Sequence, residues 1–162
     1  MIRTLLATVL AIAFVSGQEL AHGDAKHDKK VAKPISTEEK EFGREGDPKK
    51  AVRTVKVDMS DKLRFTPASL TIKQGESVKF VVRNNGKVMH EMVLGTMQEL
   101  KEHAEMMRKH PTMEHDEPYM AHVAPGKTEN MVWQFTKAGE FYYGCLVPGH
   151  FEAGMIGKLT VK

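Results

Sequence analysis

Short alternations of apolar and polar residues run through the last two thirds of the chain and predict β-strands. In AVRTVKVDM, which begins at residue 51, Val55 and Val57 fall on one face of an extended chain. Pro67, Gly75 and Gly86 punctuate the runs that follow, as turns between short strands require. The further strand-like segments are LRFTPASLTIKQGE, SVKFVVRNNG, HEMVLG, AHVAPG, TENMVWQFT, GEFYYGC and GKLTVK. This spacing predicts an all-β fold, an antiparallel β-sandwich, rather than strands alternating with helices.

One segment, TMQELKEHAEMMRKH, has the pattern of a helix instead. Thr96 and Glu99 form a T-x-x-E capping box at its start, and Pro111 follows its end. The segment separates the strand that begins at His90 from the later strands. Residues 96–122 are therefore predicted to be a helical insertion in the sandwich.

The first residues have the features of an export signal. Arg3 supplies a positive charge, and the apolar run from Leu5 to Val15 is too short to span a bilayer. Residues 1–17 are predicted to be a signal peptide, with cleavage after Gly17 or after Ala21; the alternative is an uncleaved membrane anchor. Export predicts a periplasmic location, with no stable membrane insertion after signal removal.

Residues 18–50 are rich in charged residues and Gly and contain few large apolar side chains. Such a segment buries too little surface to fold alone, which predicts a flexible charged extension and places the folded domain at 51–162. His22 and His27 lie in this extension, as ordinary solvated residues or as a weak metal-capture site.

The net charge of +3 comes from 24 basic and 21 acidic residues that are interspersed. No basic stripe with interleaved aromatic residues occurs, which argues against nucleic-acid binding. The chain is expected to be a monomer.

The strongest chemical signal is Cys145, the only cysteine, followed at equal spacing by His150 and Met155. A thiolate, an imidazole and a thioether are the ligands of a blue-copper centre, with a second His supplied from elsewhere. A buried inert thiol or an intermolecular disulfide is the alternative for Cys145 alone, but neither explains the spaced His and Met. His90 is the candidate fourth ligand, because it begins a strand just after the NNGKVM loop.

The segments FTPASLTIKQGESVKFVVRNNGKVMHEM and GEFYYGCLVPGHFEAGMIGKLTV closely resemble cupredoxins, the family of plastocyanin, azurin and auracyanin. The resemblance covers roughly residues 51–162 and implies a Greek-key sandwich holding one type 1 copper ion. It implies that His90, Cys145 and His150 are equatorial ligands and that Met155 is a weak axial one. The helical insertion and the Met and His content resemble the exported cupredoxins of bacterial copper resistance (CopI-type).

Glu91 departs from the family pattern. Many cupredoxins have Asn after the first ligand His, where it ties two ligand loops together. The hydrogen bonds around the metal ligands, and with them the reduction potential and the colour, are therefore left open by the sequence.

The insertion carries a second candidate copper feature. His103, Met106, Met107 and His110 share one side of the predicted helix, and soft thioethers with imidazoles suit copper. The alternative is that the methionines only pack the helix onto the sandwich. His115 and His122 flank an acidic loop and are less constrained.

Two functions share the predicted centre. The first is one-electron Cu(II)/Cu(I) redox by a periplasmic protein that contributes to copper tolerance. The second is a soluble electron carrier that docks transiently on a redox partner near the ligand loop. Apolar residues for such docking are Leu146, Val147, Pro148, Phe151 and Ile156. An enzyme is not expected, because Cys145 is flanked by Gly144 and Leu146 and lacks the neighbouring His that links type 1 copper to a catalytic copper.

Overall fold

The computed structural model describes residues 34–113 and 115–162. These residues form two β-sheets and one α-helix. The first sheet has, in spatial order, β1 (Glu39–Lys40), β2 (Gly43–Glu45), β9 (Thr128–Gln134), β6 (Ser77–Asn84), β3 (Arg53–Ser60) and β4 (Arg64–Thr66). The second has β5 (Ser69–Ile72), β11 (Ile156–Val161), β10 (Gly139–Gly144), β7 (His90–Gly95) and β8 (Met120–Val123). The predicted signal peptide, His22 and His27 lie outside the described residues.

The two sheets pack face to face because each presents an apolar face. Val57 and Phe80 from the first sheet share one buried cluster with Leu94, Tyr143 and Leu159 from the second. Along β3, buried residues alternate with more exposed ones, which is the period of a half-buried strand. The predicted sandwich is confirmed.

Two strand pairs run parallel, a detail that the sequence pattern did not predict. β3 pairs with β6, and β5 pairs with β11, both in parallel. After β4 the chain crosses to the second sheet as β5, and it then returns to the first sheet as β6 beside β3. β6 ends at Asn84, just before the loop that leads to His90 at the start of β7, and β10 ends at Gly144, directly before Cys145.

The helix α1 (Met97–Lys109) begins at the predicted capping box. Thr96 Oγ1 accepts a hydrogen bond from Glu99 N at 3.2 Å, and Glu99 Oε2 accepts one from Thr96 N at 2.8 Å. Leu100 and Met107 bury one face of α1 against Leu146 and Phe151, which belong to the loop after β10. The helix therefore supports the loop that carries Cys145 and His150. None of the described helices is long and apolar enough to cross a membrane.

Residues 39–50 differ from the predicted flexible extension. β2 pairs with β9, and a 3-10 helix, Pro48–Lys50, leads into β3. Phe42 is only 2% exposed, stacks on Trp133 at 5.2 Å between ring centroids, and accepts a hydrogen bond from Trp133 Nε1. Gly43 permits the close approach, since a Cβ there would lie 2.0 Å from Gln134 O. One aromatic side chain thus attaches a segment whose composition is otherwise polar, so the ordered part begins before residue 51.

Candidate metal centre

Three predicted ligands meet at one end of the sandwich. His90, Cys145 and His150 each offer one ligand atom, and these atoms lie within 4.8 Å of one another. Cys145 Sγ is 3.9 Å from His90 Nδ1 and 3.3 Å from His150 Nδ1. The rings of His90 and His150 have centroids 4.9 Å apart. Nδ1 of both rings faces the sulfur, so both rings can offer that nitrogen to one ion.

Met155 completes the predicted set from the far end of the same loop. Its side chain is fully buried, and it lies near His90. Cys145 N donates to Met155 O at 3.1 Å, and Met155 N donates to His150 O at 3.0 Å. Gly149 and Gly154 have φ values of +88° and +85°, a region that favours glycine, so the loop can turn tightly between the ligands.

Cys145 is enclosed in the core. Burial raises the pKa of its thiol to about 12 in the metal-free chain. The Glu91 backbone N–H faces Cys145 Sγ at 3.5 Å and supplies a donor to the sulfur. Burial lowers the pKa of His150, which favours the neutral imidazole that a metal ion needs.

Asp61 holds the distal side of His90. Asp61 Oδ1 lies 3.2 Å from His90 Nε2, and both carboxylate oxygens accept hydrogen bonds from Lys87 N. The Lys87 N–H lowers the pKa of Asp61. Gly86 makes room for this contact, because a Cβ at that position would lie 2.0 Å from Asp61 Oδ1. A carboxylate–imidazole pair of this kind fixes the orientation of a metal-binding His.

Asn84 fixes the turn that precedes His90. Its Nδ2 donates to Val88 O and to Val123 O, both at 2.8 Å, and its Oδ1 accepts from Gly86 N. Asn84 is fully buried, so these bonds also satisfy its polar atoms. The turn is therefore rigid where it delivers His90.

Glu91 connects the two ligand-bearing segments. It is 3% exposed, and its Oε1 accepts from Leu146 N at 2.9 Å. Its other oxygen, Oε2, lies 2.9 Å from His122 Nδ1. The departure from Asn thus keeps a bond between the ligand loops and adds a bond to a histidine.

A second group of imidazoles lies between α1 and β8, and we call His103, His115 and His122 the histidine group. His103 Nε2 is 2.8 Å from His115 Nε2, and the His115 and His122 ring centroids are 5.6 Å apart. His115 Nδ1 and His122 Nε2 are buried without a hydrogen bond among the described residues. Burial lowers the pKa of His103, and the bond to Glu91 raises the pKa of His122.

The predicted set of His103, Met106, Met107 and His110 is divided in the structure. Met107 packs in the cluster beneath α1, Met106 is 41% exposed, and His110 caps the end of the helix. His103 turns towards His115 instead, so the four residues related by helical spacing do not form one group. Packing is the role of Met107, as the alternative interpretation held.

The expected docking residues are also divided. Leu146 and Phe151 are buried under α1, whereas Pro148 is exposed and Val147 and Ile156 are half-buried. Val88 and Met89, which precede His90 in the chain, are 48% and 45% exposed. The exposed apolar surface beside the ligand His therefore includes a turn that the sequence did not single out.

The donors fit copper. Imidazole suits Cu(II), thioether suits Cu(I), and thiolate binds both, so the four predicted residues serve either oxidation state. The sulfur and two imidazole nitrogens already converge on one point, with the thioether on the same loop.

Comparison with known proteins gives the same result. Residues 51–162 match the family described as copper binding proteins, plastocyanin/azurin family. The chain is 54% identical over 121 residues to the copper-resistant cuproprotein CopI of Rubrivivax gelatinosus, covering 75% of this chain and 73% of that protein. It is 33% identical to the CopI of Pseudomonas aeruginosa over 150 residues, covering 75% and 82%.

Solved structures show the likeness in fold. Auracyanin B superposes with a TM-score of 0.62 at 23% identity, covering 74% of this chain and 96% of its own. The reduced auracyanin of Roseiflexus castenholzii superposes with a TM-score of 0.59 at 17% identity, covering 67% and 96%.

Sequence reasoning missed Asp61 and Asn84, and it did not bring His103 together with His115 and His122. Asp61 is remote in sequence from every ligand, so only the fold reveals its contact with His90. The sequence did show Glu91 as a departure from the family pattern. Its contact with His122 could have been suspected, because the segments HEMVLG and AHVAPG are both strand-like and paired strands bring residues directly opposite each other.

Proposed function

Since the chain belongs to the plastocyanin/azurin family of copper-binding proteins, we propose that it is a periplasmic type 1 copper protein that undergoes one-electron redox and contributes to copper tolerance. The observation that carries the proposal is the convergence of His90, Cys145 and His150 at the end of a rigid sandwich. The CopI relatives, which are named as copper-resistant cuproproteins, support the biological role. The export signal expected in residues 1–17 supports the location.

Copper, when bound, would supply a one-electron Cu(II)/Cu(I) couple, with the electron taken from or passed to a redox partner. His90, His150 and Met155 would hold the ion in either oxidation state, and Cys145 would bind it as a thiolate after releasing its proton. The bonds from Asn84 and the closure of the loop between Cys145 and Met155 resist rearrangement of the ligands. A site that moves little between oxidation states favours fast electron exchange.

A binding and redox role is proposed rather than catalysis. Gly144 and Leu146 flank Cys145, so no imidazole beside the thiolate leads to another metal. The alternative, a soluble carrier between respiratory or photosynthetic complexes, is supported by the exposed Val88 and Met89, which suit transient docking.

The assignment of the centre can be tested by absorption. The copper-loaded oxidised protein should show an intense visible band from thiolate-to-copper charge transfer, and Cys145→Ser should abolish it. A band retained in that variant would refute the ligand set. Ser is close to Cys in size, so the circular dichroism spectrum of the variant should match that of the wild type.

The biological role can be tested by deletion of the gene. If the protein contributes to copper tolerance, the deletion strain should fail to grow only at raised copper. The wild-type gene should restore growth, and the gene for Cys145→Ser should not. A respiratory defect at ordinary copper, with tolerance unchanged, would favour the electron carrier instead.

We also propose that the histidine group binds a second, weaker copper ion. Two imidazole nitrogens on one ion, each about 2 Å from it, lie roughly 3 Å apart, and His103 and His115 meet this condition. Copper titration of Cys145→Ala should leave residual binding, and adding His103→Phe should remove it. Adding His110→Phe, at the exposed end of α1, should not.

A further inference from the structure

We propose that Glu91 is a positioning residue that couples the histidine group to the copper centre, so that a change at His122 alters the spectrum and potential of copper held by Cys145. The inference rests on the proposed type 1 centre and extends it. It does not require that the histidine group itself hold a metal ion.

Glu91 contacts the ligand set through its backbone. It follows His90 directly, and its backbone N–H faces Cys145 Sγ at 3.5 Å. Hydrogen bonds to a ligating sulfur withdraw electron density from it, and they tune the potential of copper–thiolate sites. A shift of the Glu91 backbone would therefore change the hydrogen bond to the Cys145 sulfur.

The Glu91 side chain joins two segments at once. Oε1 accepts from Leu146 N, one residue after Cys145, while Oε2 accepts from His122 Nδ1. Both distances are 2.9 Å, and the side chain is 4% exposed. A carboxylate enclosed in this way cannot exchange its partners for water, so a change in one bond is passed to the other.

Strand pairing fixes the geometry. Glu91 of β7 lies directly opposite His122 of β8 in an antiparallel register. His122 and the copper ligand His90 are thus held by adjacent positions of one strand pair. Rigid strands transmit a displacement that a loop would absorb.

The bond to Glu91 also determines which His122 nitrogen is available. With Nδ1–H donated to the carboxylate, Nε2 is left as an acceptor, and it is buried without a hydrogen bond among the described residues. A ligand at Nε2 makes Nδ1–H a stronger donor. The carboxylate is then drawn towards His122 and away from Leu146 N, which moves the backbone beside Cys145.

The test compares variants of the full chain loaded with one equivalent of copper. His122→Phe keeps an aromatic ring but removes the donor to Glu91. It should shift the charge-transfer band and the reduction potential, although His122 is not among the ligands of that copper. His122→Asn, whose amide nitrogen takes the place of Nδ1, should restore values close to those of the wild type.

In Glu91→Gln the amide oxygen can still accept from Leu146 N, but an amide nitrogen, which cannot accept, takes the place of the oxygen beside His122 Nδ1. It should shift the same two quantities, and combining it with His122→Phe should add little, because both changes act on one path. His110→Phe, the same substitution at the exposed end of α1, should leave the band and the potential unchanged.

The readouts separate coupling from mere support of the fold. A structural role for His122 would lower the melting temperature while leaving the band and potential of the loaded centre unchanged, and that result overturns the inference. If Glu91→Gln does not fold, His122→Phe decides alone. A wild-type protein without a thiolate band would overturn the proposed function and this inference together. A normal wild-type band with an unshifted His122→Phe overturns only the inference.

Discussion

His90 is bounded by carboxylates of two different kinds. Asp61 meets its distal nitrogen at the protein surface, whereas the next residue, Glu91, is enclosed beside the sulfur of Cys145. A carboxylate at the distal nitrogen makes the ring a more basic ligand. The more basic ring favours Cu(II), so Asp61 should lower the reduction potential.

We predict that Asp61→Asn raises the reduction potential and weakens copper binding by about 10–100-fold, the usual effect of removing such a partner. Voltammetry and competition with a chelator measure these quantities. Asp58→Asn is a matched control, because Asp58 accepts a hydrogen bond from Asn85 in the same region. Equal effects of the two variants would mean that surface charge alone is responsible.

Met155 should act mainly on the electronic properties of the site. Met155→Leu keeps an apolar side chain of similar size in the buried position, and the equatorial ligands are untouched. We predict that copper still binds with a visible thiolate band, at a shifted energy and potential, because the axial bond is weak. Loss of all copper binding would contradict an axial role.

At the scale of elements, the short strands β1 and β2 depend on one anchor. Phe42 fills a space against Trp133 and Tyr119, and its ring centroid is 5.6 Å from that of Tyr119. We predict that Phe42→Ala destabilises the protein by about 3–5 kcal/mol, as is usual for a buried Phe. Urea unfolding measures the change. Ile35→Ala, at an exposed residue of the same segment, should cost far less.

The sandwich, the helix and the loop that carries three of the predicted ligands could be read from the sequence because each follows a local pattern. The strands from Arg53 onward follow alternation, the helix follows its capping box, and Cys145, His150 and Met155 follow loop spacing. The role of Phe42 was missed because residues 18–50 are mostly polar, and a single aromatic residue changes that composition little. Asp61 was missed because its contact with His90 joins positions that no local pattern relates.

At the scale of the whole molecule, the buried thiol links stability to pH. The pKa of Cys145 is about 12 in the folded metal-free chain, against an ordinary value of 9.0 for a free thiol. Between these values the unfolded chain loses a proton that the folded chain keeps. Unfolding is therefore favoured as pH rises, and the contribution of the protonated thiol is fully present only below the lower value.

We predict that the metal-free protein loses up to about 1.4 kcal/mol of stability per pH unit from this thiol between pH 9 and 12. Thermal melting of wild type against Cys145→Ala isolates the effect, because other groups titrate in both. The wild-type curve should fall more steeply. Parallel curves for the two proteins would show that the thiol does not keep its proton in the fold.

The position of Trp133 makes the protein its own optical reporter. It is the only tryptophan in the chain, it is nearly fully buried, and its indole N–H is bonded to Phe42 O. Its fluorescence emission should lie at short wavelength in the native state and move towards red when the N-terminal strands detach. Detachment and loss of the visible copper band can then be followed separately in one cuvette, without any attached dye.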